Sequence, residues 1–421
     1  MGEGVCELKG QLPREGHSRN YFTMAGMFSE FYDRLQEPLR NLLREGTPWD
    51  CPDFPISPET EAALKALRWD VQSDTARAEV FLFRAAEDRE ERHQGRIYPV
   101  VPVYATSICT ESCLYCNYRR GNREGVERVR LGTKELEEEI HYLIRTKGYR
   151  VIELVYATDP GVTAEDIAEH VRLAGHMLSG AGGGITALNG PSLSEEEYRL
   201  LAGEDIGFVA LWQETYDEER YRELHPPPGR KHDFRNRLDA FDRMLRAGIS
   251  RIGMGVLSGL ADWRYDWAML LLHEEYLQRT YGRGPAVLGI PRLKPAPGAT
   301  EITGYTPTDL EFRYAVAIHQ KYRPDCYPFV NTREDWSLCM DLASGGGCLF
   351  TFNCSTIPGG YTRRHRGSQF FSHDFEGPLF REAAARSGLK VGLPWSGGNG
   401  GGEEHKSPTP RDSALHGSHG S

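Results

Sequence analysis

No apolar run in this chain of 421 residues approaches the roughly 20 that a helix needs to cross a bilayer. The amino terminus, MGEGVCELKGQ, lacks the basic and apolar regions of a secretory signal. Together these absences predict a cytoplasmic protein with no membrane partner. Cysteine is scarce: nine thiols over this length do not make a disulfide scaffold, and Cys6, Cys51, Cys326, Cys339, Cys348 and Cys354 are scattered like ordinary thiols. A surplus of positive charge is also missing. With 50 Lys and Arg against 60 Asp and Glu, the formal charge of −10 gives no general attraction to nucleic acid or anionic lipid. A small molecule is therefore the expected ligand.

The 39 % of hydrophobic residues is enough for one large α/β barrel or two smaller domains. FYDRLQEPLRNLL, SPETEAALKALRWD and TARAEVFLFRAAEDREER carry helical spacing of apolar groups, which predicts a helical extension over residues 1–94. From RIYPVVPVYATSI onward, short β-branched runs alternate with amphipathic stretches, beginning with RVIELVYA and TAEDIAEHVRLAGHML. Six such units can be drawn, which argues for parallel βα architecture with its site at the carboxyl ends of the strands. Residues 396–421 are Gly, Ser and charge with almost nothing to bury, and read as a disordered tail.

Three of the nine cysteines are not scattered. Cys109, Cys113 and Cys116 form C-x3-C-x2-C just after an apolar, strand-like run. Three thiolates can hold three irons of a cubane cluster and leave the fourth open to a small chelating molecule. The same triplet can hold structural zinc, with a fourth ligand from a distant Cys or His.

The triplet and its setting resemble the radical S-adenosylmethionine (SAM) enzymes. Further landmarks, CLYCNYRRGN, LWQETYDEERYRELHP, KHDFRNRLDAFDRMLRAG, GMGVLSGLADWR, GIPRLKPA and NTRE followed by STIPGGY, run in family order. They are similar to the aromatic amino acid lyase branch, which holds the tyrosine lyases of thiamine synthesis and hydrogenase maturation and the tryptophan lyase that makes 3-methyl-2-indolic acid. The resemblance implies an α/β radical SAM (βα) barrel, full or partial TIM-like, over residues 95–380. It also implies a [4Fe–4S] cluster, SAM, an amino acid substrate and an electron donor such as flavodoxin or ferredoxin. The implied reaction is fragmentation of an aromatic L-amino acid at Cα–Cβ, with tyrosine first. The alternatives are a tryptophan lyase, an enzyme acting on another small amine, or a non-catalytic Fe–S or zinc scaffold.

Carried onto this sequence, the resemblance makes Cys109, Cys113 and Cys116 the cluster ligands. Tyr115 falls where an aromatic packs beside adenine, and Gln213 and Glu214 fall where ribose or the methionine end of SAM is held. Gly253 and Gly255 match a glycine pair near adenine, with Val256 as a wall, and Arg292 is the cation for the SAM carboxylate. Thr158 and Asp159 stand where the family has a Gly-Glu pair for the SAM amino group. For the substrate, Arg333 aligns with an arginine that grips the amino acid carboxylate, and Tyr104 with a tyrosine beside the substrate; a core role suits Tyr104 equally. Thr351 and Cys354 replace two serines near the substrate, and the hydrogenase maturase's carboxyl-terminal cysteine cluster is absent.

Overall fold

The computed structural model describes residues 26–395 apart from 123, 353, 364 and 374–376, so the expected tail lies outside the described residues. Helices α1 (Phe28–Glu45), α2 (Pro58–Leu67) and α3 (Thr75–His93) come first, where the apolar spacing predicts them. Strands β1 (Arg96–Pro99) and β2 (Val101–Thr106) follow as one run interrupted at Val100. After them come α4 (Thr133–His141), β3 (Val151–Tyr156), α5 (Ala164–Ser179), β4 (Ile185–Asn189), α6 (Glu195–Ala202) and β5 (Ile206–Ala210). Three short helices, α7 (Glu218–Leu224), α8 (Phe234–Leu238) and α9 (Ala240–Arg246), lead to β6 (Ile252–Gly255) and α10 (Trp263–Tyr281). The remainder is β7 (Val287–Gly289), α11 (Asp309–Tyr322), β8 (Tyr327–Val330), α12 (Trp336–Ala343), β9 (Cys348–Phe350), α13 (Gly377–Arg386) and β10 (Lys390–Val391).

Ten strands form one sheet in the order β10-β1-β9-β8-β7-β6-β5-β4-β3-β2, and the neighbours run parallel. The β1–β2 run pairs with β9 through its lower half and with β3 through its upper half, so the sheet curls round and meets itself at the foot. This is the partial TIM-type (βα) barrel that the motifs imply. Above the foot, Tyr361 bridges the gap: its hydroxyl donates to the Pro102 carbonyl (2.7 Å) and accepts from the Ser355 N–H (3.1 Å). A side chain thus supplies a hydrogen bond that a strand would otherwise make.

Eight βα units follow the preface rather than six, because β2–α4 and β9–α13 are units too. Helix α4 escaped the pattern because Leu136 and Ile140 are the apolar groups it buries among glutamates. Three of the helices, α5, α6 and α11, start on capping boxes in which Thr163, Ser194 and Thr308 each accept from the N–H three residues on.

The barrel lumen is plugged by Tyr98, Val100, Val151, Ala187, Phe208, Val287, Phe329 and Leu349, with Tyr327 and Trp395 stacked beside it at 5.9 Å. A second core lies between strands and helices and takes in α1 and α2, which pack on α10. Covered from both sides, α10 is buried around most of its circumference, polar groups included. His273 stacks on Phe28 at 3.7 Å, and its Nδ1 lies 2.9 Å from the Tyr216 hydroxyl.

Burial holds His273 uncharged, with a pKa well below the ordinary histidine value. In the unfolded chain the ring titrates near 6.5, so below that pH the unfolded state takes up a proton that the folded state refuses. The stabilisation is complete above about pH 6.5 and is lost on acidification, at up to about 1.4 kcal/mol per pH unit. Urea unfolding of a His273→Gln variant should show a smaller loss of stability between about pH 6.5 and pH 5 than the parent protein. Equal slopes for the two proteins would refute this account.

Candidate active site

The cysteine loop leaves β2 at Thr106 and returns at Arg130, which bridges back to Thr106. In place of regular structure, one guanidinium holds it. Arg128 donates to the carbonyls of Ser107 (2.7 Å), Tyr118 (2.8 Å), Arg119 (3.0 Å) and Asn122 (2.8 Å). Ser107 Oγ donates to the Glu127 carbonyl (2.7 Å) and accepts from the Val129 N–H (2.8 Å). Thr110 ties the loop to the end of β3, its N–H (2.9 Å) and Oγ1 (3.1 Å) both donating to the Thr158 carbonyl. Such contacts satisfy a loop backbone that has no ladder to join.

This loop places Cys109, Cys113 and Cys116 on one cavity at the carboxyl ends of the strands, shared with Tyr104, Tyr115, Glu214 and Arg333. The three are free of disulfides. Burial pushes the Cys109 thiol up to about 11 and that of Cys113 up to about 12, and raises Cys116 as well. They are therefore neutral thiols until a metal displaces their protons. The described residues whose ligand atoms converge within the 4.8 Å suited to a single ion are Glu274, His319 and Cys326, and the triplet is not such a group.

Tyr115 is pinned. Its hydroxyl donates to His225 Nε2 (2.8 Å), whose Nδ1 lies 2.7 Å from the Tyr221 carbonyl. Burial, helped by the charge of Lys231, pushes His225 down to about 3, so the ring is neutral and can accept at Nε2. Lys231 Nζ lies 2.5 Å from Glu214 and 5.7 Å from the Tyr115 ring. Glu214 sits at φ 76°, a strained conformation for a side chain of this kind. Burial raises its carboxyl, but Lys231 and Arg237 outweigh that effect and hold it below the ordinary value.

On the substrate side, Arg333 lays its guanidinium over the Phe370 ring at 3.4 Å and has no hydrogen-bond acceptor for it among the described residues. Tyr104 donates to Gln369 Oε1 (2.9 Å), and Gln369 Nε2 reaches Cys116 Sγ (3.7 Å). Thr351, Cys354 and Thr158 line the cavity, and Thr351 Oγ1 is buried without a hydrogen-bond partner among the described residues.

Other expected site residues are engaged elsewhere. Asp159 accepts from Arg130 Nε (2.8 Å) and Nη2, Thr106 Oγ1 (2.6 Å) and the Gly161 N–H (2.9 Å). Its carboxylate is committed to clamping the loop, which leaves little for a SAM amino group. Arg292 is occupied by Glu334 (3.0 Å), Asp309 (2.6 Å) and the Pro307 carbonyl (3.1 Å), and it lies off the cavity lining. Gln213 is buried, its amide reaching the Thr215 carbonyl at 3.5 Å. A Cβ on Gly253 would lie 3.0 Å from Ala210 Cβ, and one on Gly255 would lie 2.2 Å from the Gly289 carbonyl oxygen. These glycines serve close packing of strands, and Val256 belongs to the outer core, while its neighbour Leu257 lines the cavity. Glu153, Asn189, Gln369 and Phe370 line the cavity without having been singled out from the sequence.

Comparison with known proteins agrees with this arrangement. The Radical SAM superfamily profile matches residues 103–271, from β2 through the cysteine loop into α10. Residues 103–271 thus carry the match to the radical SAM superfamily, and the similar proteins support it. Two 2-iminoacetate synthases and a hydrogenase maturase among the similar proteins support the aromatic amino acid lyase resemblance of the motifs. It is 29 % identical to the 2-iminoacetate synthase of Salmonella typhimurium over 301 residues, 70 % of this chain and 76 % of that protein. With the 2-iminoacetate synthase of Escherichia coli the identity is 29 % over 316 residues, 74 % and 80 % of the two chains. The crystal structure of HydG, a maturase of the [FeFe]-hydrogenase, superposes with a TM-score of 0.72 at 26 % identity, covering 86 % of this chain and 76 % of that one.

A radical SAM protein implies a [4Fe–4S] cluster and SAM. The donor set here fits the cluster: three unpaired thiols on one braced loop facing a shared cavity. Since Arg128 supports four carbonyls of that loop, Arg128→Ala should lower iron bound per chain several-fold after anaerobic reconstitution, with the far-ultraviolet circular dichroism unchanged. Full iron loading of the variant would show that the loop holds its shape without this residue.

Proposed function

We propose that this radical SAM enzyme is a lyase that fragments an aromatic L-amino acid at Cα–Cβ, with L-tyrosine as its first substrate. The observation that carries the proposal is Arg333, a guanidinium at the cavity that bears the three cysteines, backed by Phe370 and lacking an acceptor among the described residues. When bound through Cys109, Cys113 and Cys116, the cluster with SAM supplies a 5'-deoxyadenosyl radical able to take hydrogen from the substrate amino group.

The chain's own residues position and enclose. Arg333 takes the substrate carboxylate through a planar pair of N–H groups, and stacking on Phe370 fixes that plane. Tyr104, held by Gln369, borders the substrate, and Thr351 Oγ1 offers a polar atom with no other partner. Tyr115, fixed by His225, provides a ring for adenine, and Glu214, anchored by Lys231, provides a carboxylate for the ribose or methionine end. Positioning of this kind decides which bond of the substrate radical breaks, because the hard chemistry belongs to the cofactor. An electron donor such as flavodoxin or ferredoxin completes the cycle. Kinship with two 2-iminoacetate synthases supports the choice of tyrosine.

The reconstituted protein, reduced anaerobically and given SAM with L-tyrosine or L-tryptophan, should release 5'-deoxyadenosine, p-cresol and glyoxylate with tyrosine. Arg333→Lys, which loses the bidentate geometry, should cut kcat/KM for tyrosine by about 10- to 100-fold. Deoxyadenosine without any fragment of tyrosine would overturn the lyase reading.

A further inference from the structure

Strand β3 is buried along its whole length, where parallel strands normally carry apolar side chains, yet RVIELVYA has a glutamate near its centre. Glu153 is 3 % exposed and lines the cavity. Its Oε1 accepts from Asn189 Nδ2 (3.3 Å), and no other hydrogen bond meets the carboxyl among the described residues. Burial pushes this carboxyl up to about 7, the mark of a site that water solvates poorly.

The strand register gives its depth. Pro102, Glu153, Ala187 and Phe208 lie in one paired row, and Ala187 and Phe208 belong to the apolar plug. Tyr104, Val155 and Asn189 form the next inward row above it. The cysteine loop leaves β2 at Thr106, four residues beyond Pro102, which at about 3.3 Å per residue is about 13 Å of strand. The cavity therefore has thiols and Arg333 towards its mouth, Val155 and Trp212 on its walls, and one carboxyl at its base.

We propose that Glu153, steadied by Asn189, is the base of the substrate subsite and recognises a hydrogen-bond donor at the far end of the amino acid side chain, the phenolic O–H of tyrosine. The proposal rests on the tyrosine lyase reading and adds the residue that selects the ring. A buried acceptor left without a donor is costly, so the carboxyl favours a ligand that brings one. L-Phenylalanine has the same shape without the donor, and sites built around a hydroxyl reject the analogue lacking it far more strongly than they discriminate a missing methylene. The apolar walls suit a ring better than a flexible ammonium chain.

The test is calorimetric binding of L-tyrosine, L-phenylalanine and L-lysine to the anaerobically reconstituted protein with SAM present. Tyrosine should bind the parent at least about tenfold more tightly than phenylalanine. In Glu153→Met, which keeps volume and removes the acceptor, that ratio should fall towards one. If the Met variant does not fold, Glu153→Gln carries the test and should lower the ratio several-fold. A ratio unchanged in a variant that still binds tyrosine overturns the proposal, as does a parent that prefers lysine and loses that preference with Glu153. Failure of the lyase reading shows separately, as absence of tyrosine fragments from the parent protein whatever the substitutions do to binding.

Discussion

Parallel strand direction is the constraint on which the rest of this structure depends. Because each strand runs the same way, every carboxyl end arrives at one rim, and residues from β2, β3, β4, β7 and β8 can line one cavity, joined by residues just beyond β5 and β9. Closure comes from a single run, residues 96–106, that pairs with β9 below and β3 above. The foot is sealed by an apolar plug, and Tyr361 stitches the seam above it. The reactive end is left to loops, which carry the three clustered thiols and most of the charges around the cavity.

Those charges are nearly all paired off within the protein. Glu214 answers Lys231 and Arg237, Asp159 answers Arg130, and Arg292 answers Glu334 and Asp309. Arg333 stands apart because its contact is an aromatic face rather than a carboxylate. Among the described residues its guanidinium meets no carboxylate, which is why it carries the proposed contact with a substrate carboxylate.

The sequence showed the cysteine triplet, the helical preface and the βα alternation, because each is a local pattern of spacing. It misled where function depended on partners far along the chain. Asp159 was a candidate because it stands where the family has its Gly-Glu pair, and Arg292 because it is a cation at a strand end; their partners Arg130 and Glu334 lie 29 and 42 residues away. No local spacing reveals such pairs. Gly253 and Gly255 were legible as sites of close approach, and neighbouring strands make that approach. Helix α4 was hidden by glutamates, and Glu153 was in plain view as the charged residue in RVIELVYA. Gln369 and Phe370 gave no signal, since only the folded chain brings them over the cavity.

The plugged foot also governs traffic. A lumen blocked by Phe208, Phe329 and Leu349 is closed at its foot, so the cavity has no route through the amino-terminal end of the barrel, and the cysteine loop borders its upper part. Whatever rests deepest must arrive before the mouth is filled and leave after it empties. In the proposed reaction, a substrate seated against Glu153 would lie deeper than a cofactor at the cysteine loop and would therefore load first.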